Sequence, residues 1–323
     1  MRVVNRSLDE SFELVLGDVA PHEAELLRGL PRRLGISEAE FGGWDDYSKL
    51  DPMRNLPLYA RELCPSVGDE RLDAFVLAHR AAGYAGLVID RLLDGQVKDD
   101  EVLLHAARFL VDRWIELLTR ASDAPRDDVV VAVSESLERL TAASEEETRV
   151  FESGVENGSH YADVVASKTE WLGLATRMMV ARHADGAGLE IWDQCFATTV
   201  LGLQLLDDAL DEGEDTALRG RSMPQCLDAE ASSLFIASER ILTETAAEAR
   251  RVGLERLSEF AGEHAAKLHA ANRRFDAAAA LGAVYLLADV VGRDALRHSQ
   301  KPVRAILRPC ASSSETAAMR AYS

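Results

Sequence analysis

Apolar positions recur every three to four residues along most of the chain, the spacing of one helix face. The repeat is clearest over residues 8–29, 52–63, 69–94, 99–121, 127–144, 159–184, 187–212, 231–250, 253–271 and 275–297. Ala and Leu are abundant in these segments, and both favour helix. Gly and Pro are sparse and fall between the segments, as helix punctuation does. No run alternates apolar and polar residues convincingly as a half-buried strand would; "DDVVVAVSESLERL" offers a valine run but continues into helix formers. The pattern predicts an all-α protein with one domain of about ten helices over 1–310. The tail from 311, "ASSSETAAMRAYS", reads as disordered.

Two of the predicted helices end in carboxylates. The apolar stretch "CFATTVLGL" runs into "QLLDDALDEGED" at 204–215, where six of twelve residues are Asp or Glu. On a helix Gln204, Asp207, Asp208 and Asp211 share one face. Like charges at that spacing cost about 0.2–0.5 kcal/mol per pair even when exposed, and more when partly buried. A hard divalent cation such as Mg²⁺ would remove the conflict, because it takes carboxylate and phosphate oxygens. The alternative is a solvated acidic helix end. The second site is "YAGLVIDRLLDG" at 84–95, where Asp90 and Asp94 lie one turn apart after an apolar run and Gly95 is a helix stop.

Cations lie where a phosphate would need them. Lys168 shares a face with Tyr161, Val164 and Val165 in "YADVVASKTEWLGLAT", and Arg219 and Arg221 follow the acidic run in "ALRGRSMP". Lys and Arg are natural donors to a diphosphate. Lys168 could instead snorkel to the surface, and the two arginines could pair with Glu212, Glu214 or Asp215 or lie in a solvated loop.

Composition narrows the partners. The 323 residues carry a formal net charge of -19, with a sequence pI of about 4.9. That balance disfavours a nucleic-acid partner, which needs clustered basic residues. Cys64, Cys195, Cys226 and Cys310 show no C-x-x-C spacing, so neither a zinc site nor a redox dithiol is expected. "MRVVNRSLDESFELVL" lacks the apolar run of a secretory signal, and no uninterrupted apolar stretch approaches membrane-spanning length. The expectation is a cytoplasmic protein with reduced thiols and no stable membrane insertion.

Together these features resemble the class I isoprenoid synthases, specifically the trans-prenyl diphosphate synthase branch. "QLLDDALD" is similar to the second aspartate-rich motif of that family, Q-x-x-D-D-x-x-D, with Gln204, Asp207, Asp208 and Asp211 in register. "DRLLDG" is similar to the first, D-D-x-x-D-G, with Arg91 in place of the second Asp, and "SKTEWL" is similar to the family's K-T element, here Lys168 and Thr169. The motifs cover roughly 70–230. The resemblance implies a single helical bundle of the isoprenoid synthase type with a central active-site cavity. It implies three Mg²⁺ ions held by Asp90, Asp94, Asp207 and Asp211, and an isoprenoid diphosphate substrate contacted by Lys168, Thr169, Gln204, Arg219 and Arg221. Asp208 joins the catalytic set. The family is commonly dimeric, so a homodimer is also implied.

Departures from the family pattern refine this expectation. Chain-elongating members carry an Arg-Arg pair after the first motif, where this chain reads "DGQVKDDEVLL", with Lys98 alone. Their N-terminal Gly-Lys-x-x-Arg-Pro element, which holds isopentenyl diphosphate, has no match. Asp207, Asp211 and Asp215 share the ligand spacing of the second motif of terpene cyclases, with Gly213 a candidate break before Asp215. The expectation is therefore a terpene synthase. A prenyltransferase using isopentenyl diphosphate or another acceptor is the alternative, and a non-catalytic helical subunit, suggested by Arg91, is the second. Phe75, Tyr84, Leu87, Trp171 and Phe196 are candidate cavity walls or plain core.

Overall fold

The computed structural model describes residues 2–47, 51–97 and 101–275. Among these residues there are thirteen α-helices, three short 3-10 turns and no strand. The helices are α1 (Leu8–Leu16), α2 (Pro21–Arg28), α3 (Leu30–Arg33), α4 (Asp51–Tyr59), α5 (Asp69–Leu93), α6 (Glu101–Ser122) and α7 (Arg126–Ser153). They continue with α8 (Gly158–His183), α9 (Gly188–Leu210), α10 (Glu212–Arg219), α11 (Met223–Cys226), α12 (Ala231–Arg251) and α13 (Glu255–Phe275). The all-α expectation holds for the described chain. The predicted helix at 275–297, the tail from 311 and Cys310 lie outside the described residues.

Several predicted boundaries move, each for a local reason. The periodic stretch 8–29 is two helices, because Gly17 takes a left-handed φ of 60° and Pro21 starts a new helix at its first turn. A Ser7–Glu10 capping box starts the first of them. The segment 52–63 becomes α4, with non-helical backbone at Asn55, and a separate 3-10 turn at Arg61–Leu63. The segment 127–144 runs on to Ser153, because its buried stripe continues through Leu140, Ala143, Glu147 and Val150. The acidic stretch 204–215 is also two helices, and the break falls at Asp211 (φ −89°, ψ 6°) rather than at Gly213.

Packing places α8 at the centre. It lies against α5, α7 and α9, while α5 also packs on α4 and α6, α9 on α12, and α12 on α13. The α5–α8 approach requires Gly86: a Cβ there would come within 2.4 Å of the Trp171 ring. The N-terminal segment and α4 are drawn onto α5 by Arg80, which is only 2% exposed. Its guanidinium donates to the carbonyls of Arg6 (3.0 Å) and Arg54 (2.9 Å) and to Asn55 Oδ1 (2.8 Å). Among the described residues α5 is the one helix long and apolar enough to cross a membrane, and 72% of that stretch is buried within the protein.

The candidate wall residues divide. Tyr84 packs with Phe12 and Trp44 and donates to the Leu8 carbonyl at 2.6 Å, so it anchors α1. Phe75 faces His183, and Leu87 and Trp171 are buried core. Phe196 stacks on Trp192 beside a cleft of about 210 Å³ between α8 and α9, which is also lined by Glu170 and Arg177.

Candidate active site

The first motif sits at the end of α5. Asp94 caps the helix, and its N–H still bonds the Asp90 carbonyl at 2.8 Å. The two carboxylates thus stand one turn apart on one face. That face looks at Lys168 of α8, whose Nζ lies 3.6 Å from Asp90 Oδ1 and 3.3 Å from Asp94 Oδ2. A third carboxylate reaches the same ammonium from α7: Glu147 Oε2 lies 2.8 Å from it. Arg219, at the end of α10, approaches from the other side. Its guanidinium lies 3.5 Å from Asp94, 3.4 Å from Glu147 and 4.0 Å from Asp215, and sits over the Phe151 ring at 4.3 Å. The result is a chain of alternating charge, from Asp90 through Lys168, the pair Asp94 and Glu147, and Arg219 to Asp215.

Burial strengthens these interactions, because water screens them less than at an open surface. Asp94 and Glu147 side chains are 7% and 11% exposed, against 26% for Asp90. Burial raises the Asp90 pKa, Lys168 opposes that rise, and Asp94 and Glu147 add to it. Burial alone would lower the Lys168 pKa, but Glu147, Asp90 and Asp94 hold it well above the usual range, so the side chain stays charged.

The second motif splits by depth. Asp208 turns into the core, where Tyr161 of α8 donates to Oδ2 at 2.5 Å and Gln204 donates to Oδ1 at 2.8 Å. Burial pushes its pKa up to about 7; the two hydrogen bonds oppose the rise, and Asp207 and Glu147 add to it. Asp207 points outward. Asp211 closes α9, its N–H bonded to the Asp207 carbonyl at 2.9 Å, and Asp215 N–H bonds the Asp211 carbonyl at 2.9 Å. The one-turn spacing of Asp207, Asp211 and Asp215 therefore survives the helix junction. Tyr47 lies within electrostatic reach of both motifs. It is 40% exposed, so its enclosure is incomplete, but that enclosure raises its hydroxyl pKa and the charges of Asp90 and Asp207 add to the rise.

Asp90, Asp94, Lys168, Arg219 and Asp215 are thus brought into one network, with Gln204 and Asp208 in a second layer behind it. Thr169 and Arg221 stand apart. The Thr169 hydroxyl donates to the Val165 carbonyl of its own helix at 2.7 Å, and Arg221 donates to the Gln225 carbonyl at 3.2 Å in the loop after α10. Arg91 turns away from the network and donates to the Leu34 carbonyl at 2.7 Å, where it closes the end of α3. Glu147 is absent from the sequence expectation. The signal for it was its position on the buried stripe of α7, within a run of glutamates that otherwise reads as a solvated face.

Among the described residues, no three His, Cys, Asp or Glu side chains lie close enough together to hold a metal ion. Lys168 stands between the carboxylates of the first motif, and Asp208 is turned into the core. The donor set nonetheless fits Mg²⁺: every candidate ligand offers hard carboxylate oxygens, and Mg²⁺ needs only one or two of these when phosphates complete its shell. The Lys168 ammonium already rests against Asp90 and Asp94 where a cation is wanted. No protein-family model matches the chain, and no curated protein matches it significantly.

Proposed function

We propose that the protein ionises an allylic isoprenoid diphosphate with Mg²⁺, releasing pyrophosphate, and lets the resulting carbocation cyclise and then lose a proton to give a hydrocarbon or capture water to give an alcohol. One observation carries this reading: Lys168 and Arg219 converge between the first-motif carboxylates and Asp215. Two cations among the first-motif carboxylates and Asp215, four residues beyond the second motif, suit a ligand that is itself a metal-bound polyanion. Asp90 and Asp94 on one side, and Asp207, Asp211 and Asp215 on the other, would hold Mg²⁺. When bound, the metal supplies Lewis-acid withdrawal of charge from the diphosphate. Lys168 and Arg219 donate charge-assisted hydrogen bonds to the departing pyrophosphate, where negative charge grows as the C–O bond breaks. Gln204 and Tyr161 hold Asp208 in its buried site, and its raised pKa lessens repulsion with Asp207 at neutral pH. Thr169 and Arg221 carry no part of this reading.

The fold proposed with this function is the isoprenoid synthase bundle, with the prenyl chain in an apolar cavity among the central helices. Cyclisation is favoured over chain elongation because the sequence elements that hold isopentenyl diphosphate are missing. The test is incubation with geranyl, farnesyl and geranylgeranyl diphosphates and Mg²⁺, with and without isopentenyl diphosphate, followed by mass spectrometry. A hydrocarbon or its alcohol formed without acceptor is expected. A longer diphosphate formed only with acceptor would replace cyclisation with prenyl transfer, and no product in either arm would overturn both.

A further inference from the structure

Building on that reading, we infer that Glu147 is a positioning residue that makes diphosphate binding conditional on the divalent cation. Glu147 belongs to neither aspartate-rich motif and comes from α7, a helix that carries none of the motif residues. It is 8% exposed and lies on the apolar stripe between Ala143 and Val150. An ionised carboxylate is costly there unless it is paired. Its partners are the two cations proposed to grip the leaving group, Lys168 at 2.8 Å and Arg219 at 3.4 Å.

Those same two cations also meet Asp94, at 3.3 and 3.5 Å. Lys168, Glu147, Arg219 and Asp94 therefore form a closed square of two positive and two negative charges. In that arrangement the cations are neutralised inside the protein. A free diphosphate meets no net positive charge, and Asp90, Asp207 and Asp215 nearby repel it. A divalent cation that engages Asp94 withdraws one corner. Once divalent cations also engage Asp90 and Asp215, the other carboxylates beside this pair, Lys168 and Arg219 are left with Glu147, a net charge of one positive unit, and Glu147 still holds them side by side from the α7 side. Glu147 thus keeps the pair quiet before the metal arrives and keeps it aligned afterwards.

The experiment measures binding of inorganic pyrophosphate by calorimetry, with Mg²⁺ and with EDTA, so it needs no turnover. In the wild type, binding is expected with Mg²⁺ and is weak or absent in EDTA. Glu147→Gln removes one negative charge within a few ångströms of both cations. It should raise metal-free affinity at least about tenfold and shrink the Mg²⁺ dependence by the same factor. Glu147→Asp keeps the charge and should retain the wild-type dependence. Asp94→Asn empties the opposite corner and should raise metal-free affinity as Glu147→Gln does, so it decides the matter should Glu147→Gln fail to fold. Circular dichroism checks folding of each variant. If the wild type binds pyrophosphate with Mg²⁺ but folded Glu147→Gln keeps the wild-type metal dependence, or, where that variant does not fold, Asp94→Asn keeps the wild-type metal-free affinity, the role of Glu147 is overturned alone. If the wild type binds no pyrophosphate even with Mg²⁺, the proposed function falls as well.

Discussion

Asp208→Asn should flatten the pH dependence of stability. Asp208 is buried, and its carboxyl is raised from an ordinary 3.8 to about 7. At about 1.4 kcal/mol per pH unit, that rise corresponds to about 4 kcal/mol. The folded-state pKa is above the unfolded one, so between these values the folded protein holds a proton that the unfolded chain has lost. Stability from this group is therefore fully present below about pH 4 and is lost as pH rises towards 7. Between pH 5 and pH 8 the loss comes to roughly 2.5 kcal/mol. Asparagine has nearly the same shape and does not titrate. Tyr161 can still donate to its oxygen, and Gln204 can rotate its amide to accept from the new NH₂ group. The assay is urea unfolding of both proteins in EDTA across that pH range, followed by circular dichroism. The difference between the two curves should move in favour of the variant by roughly 2.5 kcal/mol from pH 5 to pH 8, since groups shared by both proteins cancel. Curves that stay parallel would refute the placement of Asp208 in a dry pocket.

Two further substitutions test other parts of the structure. Arg91→Ala removes the charged hydrogen bond to the Leu34 carbonyl and should cost about 1.5–3 kcal/mol, read as a lower melting temperature. The proposed turnover of prenyl diphosphate should persist, and a loss of turnover without a change in melting would place Arg91 in the site instead. Gly86→Ala puts a methyl group 2.4 Å from the Trp171 ring and should cost about 1–3 kcal/mol. Unchanged stability would show that α5 and α8 do not approach as described.

The helices and the spacing of the motifs were decided locally. The apolar repeat marks α5, α8 and α9 to within a few residues, and the i, i+4 arithmetic puts Asp90 with Asp94 and Asp207 with Asp211 on one helix face whatever the rest of the chain does. Lys168 could be singled out because a cation on an apolar face needs a partner. Its partners could not be read, because three carboxylates from two other helices meet it only after α5 and α7 pack against α8. The same holds for Arg91, which motif alignment places among the aspartates but which packing turns to Leu34. Asp208 looks equivalent to Asp207 in sequence, and only the depth of the α8–α9 contact makes one a buried group bonded to Tyr161 and the other outward-facing. Glu147 is the clearest case. Periodicity tells which face of α7 is covered, but Lys168 of α8 and Arg219 of α10 supply the cations that make a buried glutamate tolerable, and that is a property of the assembled bundle.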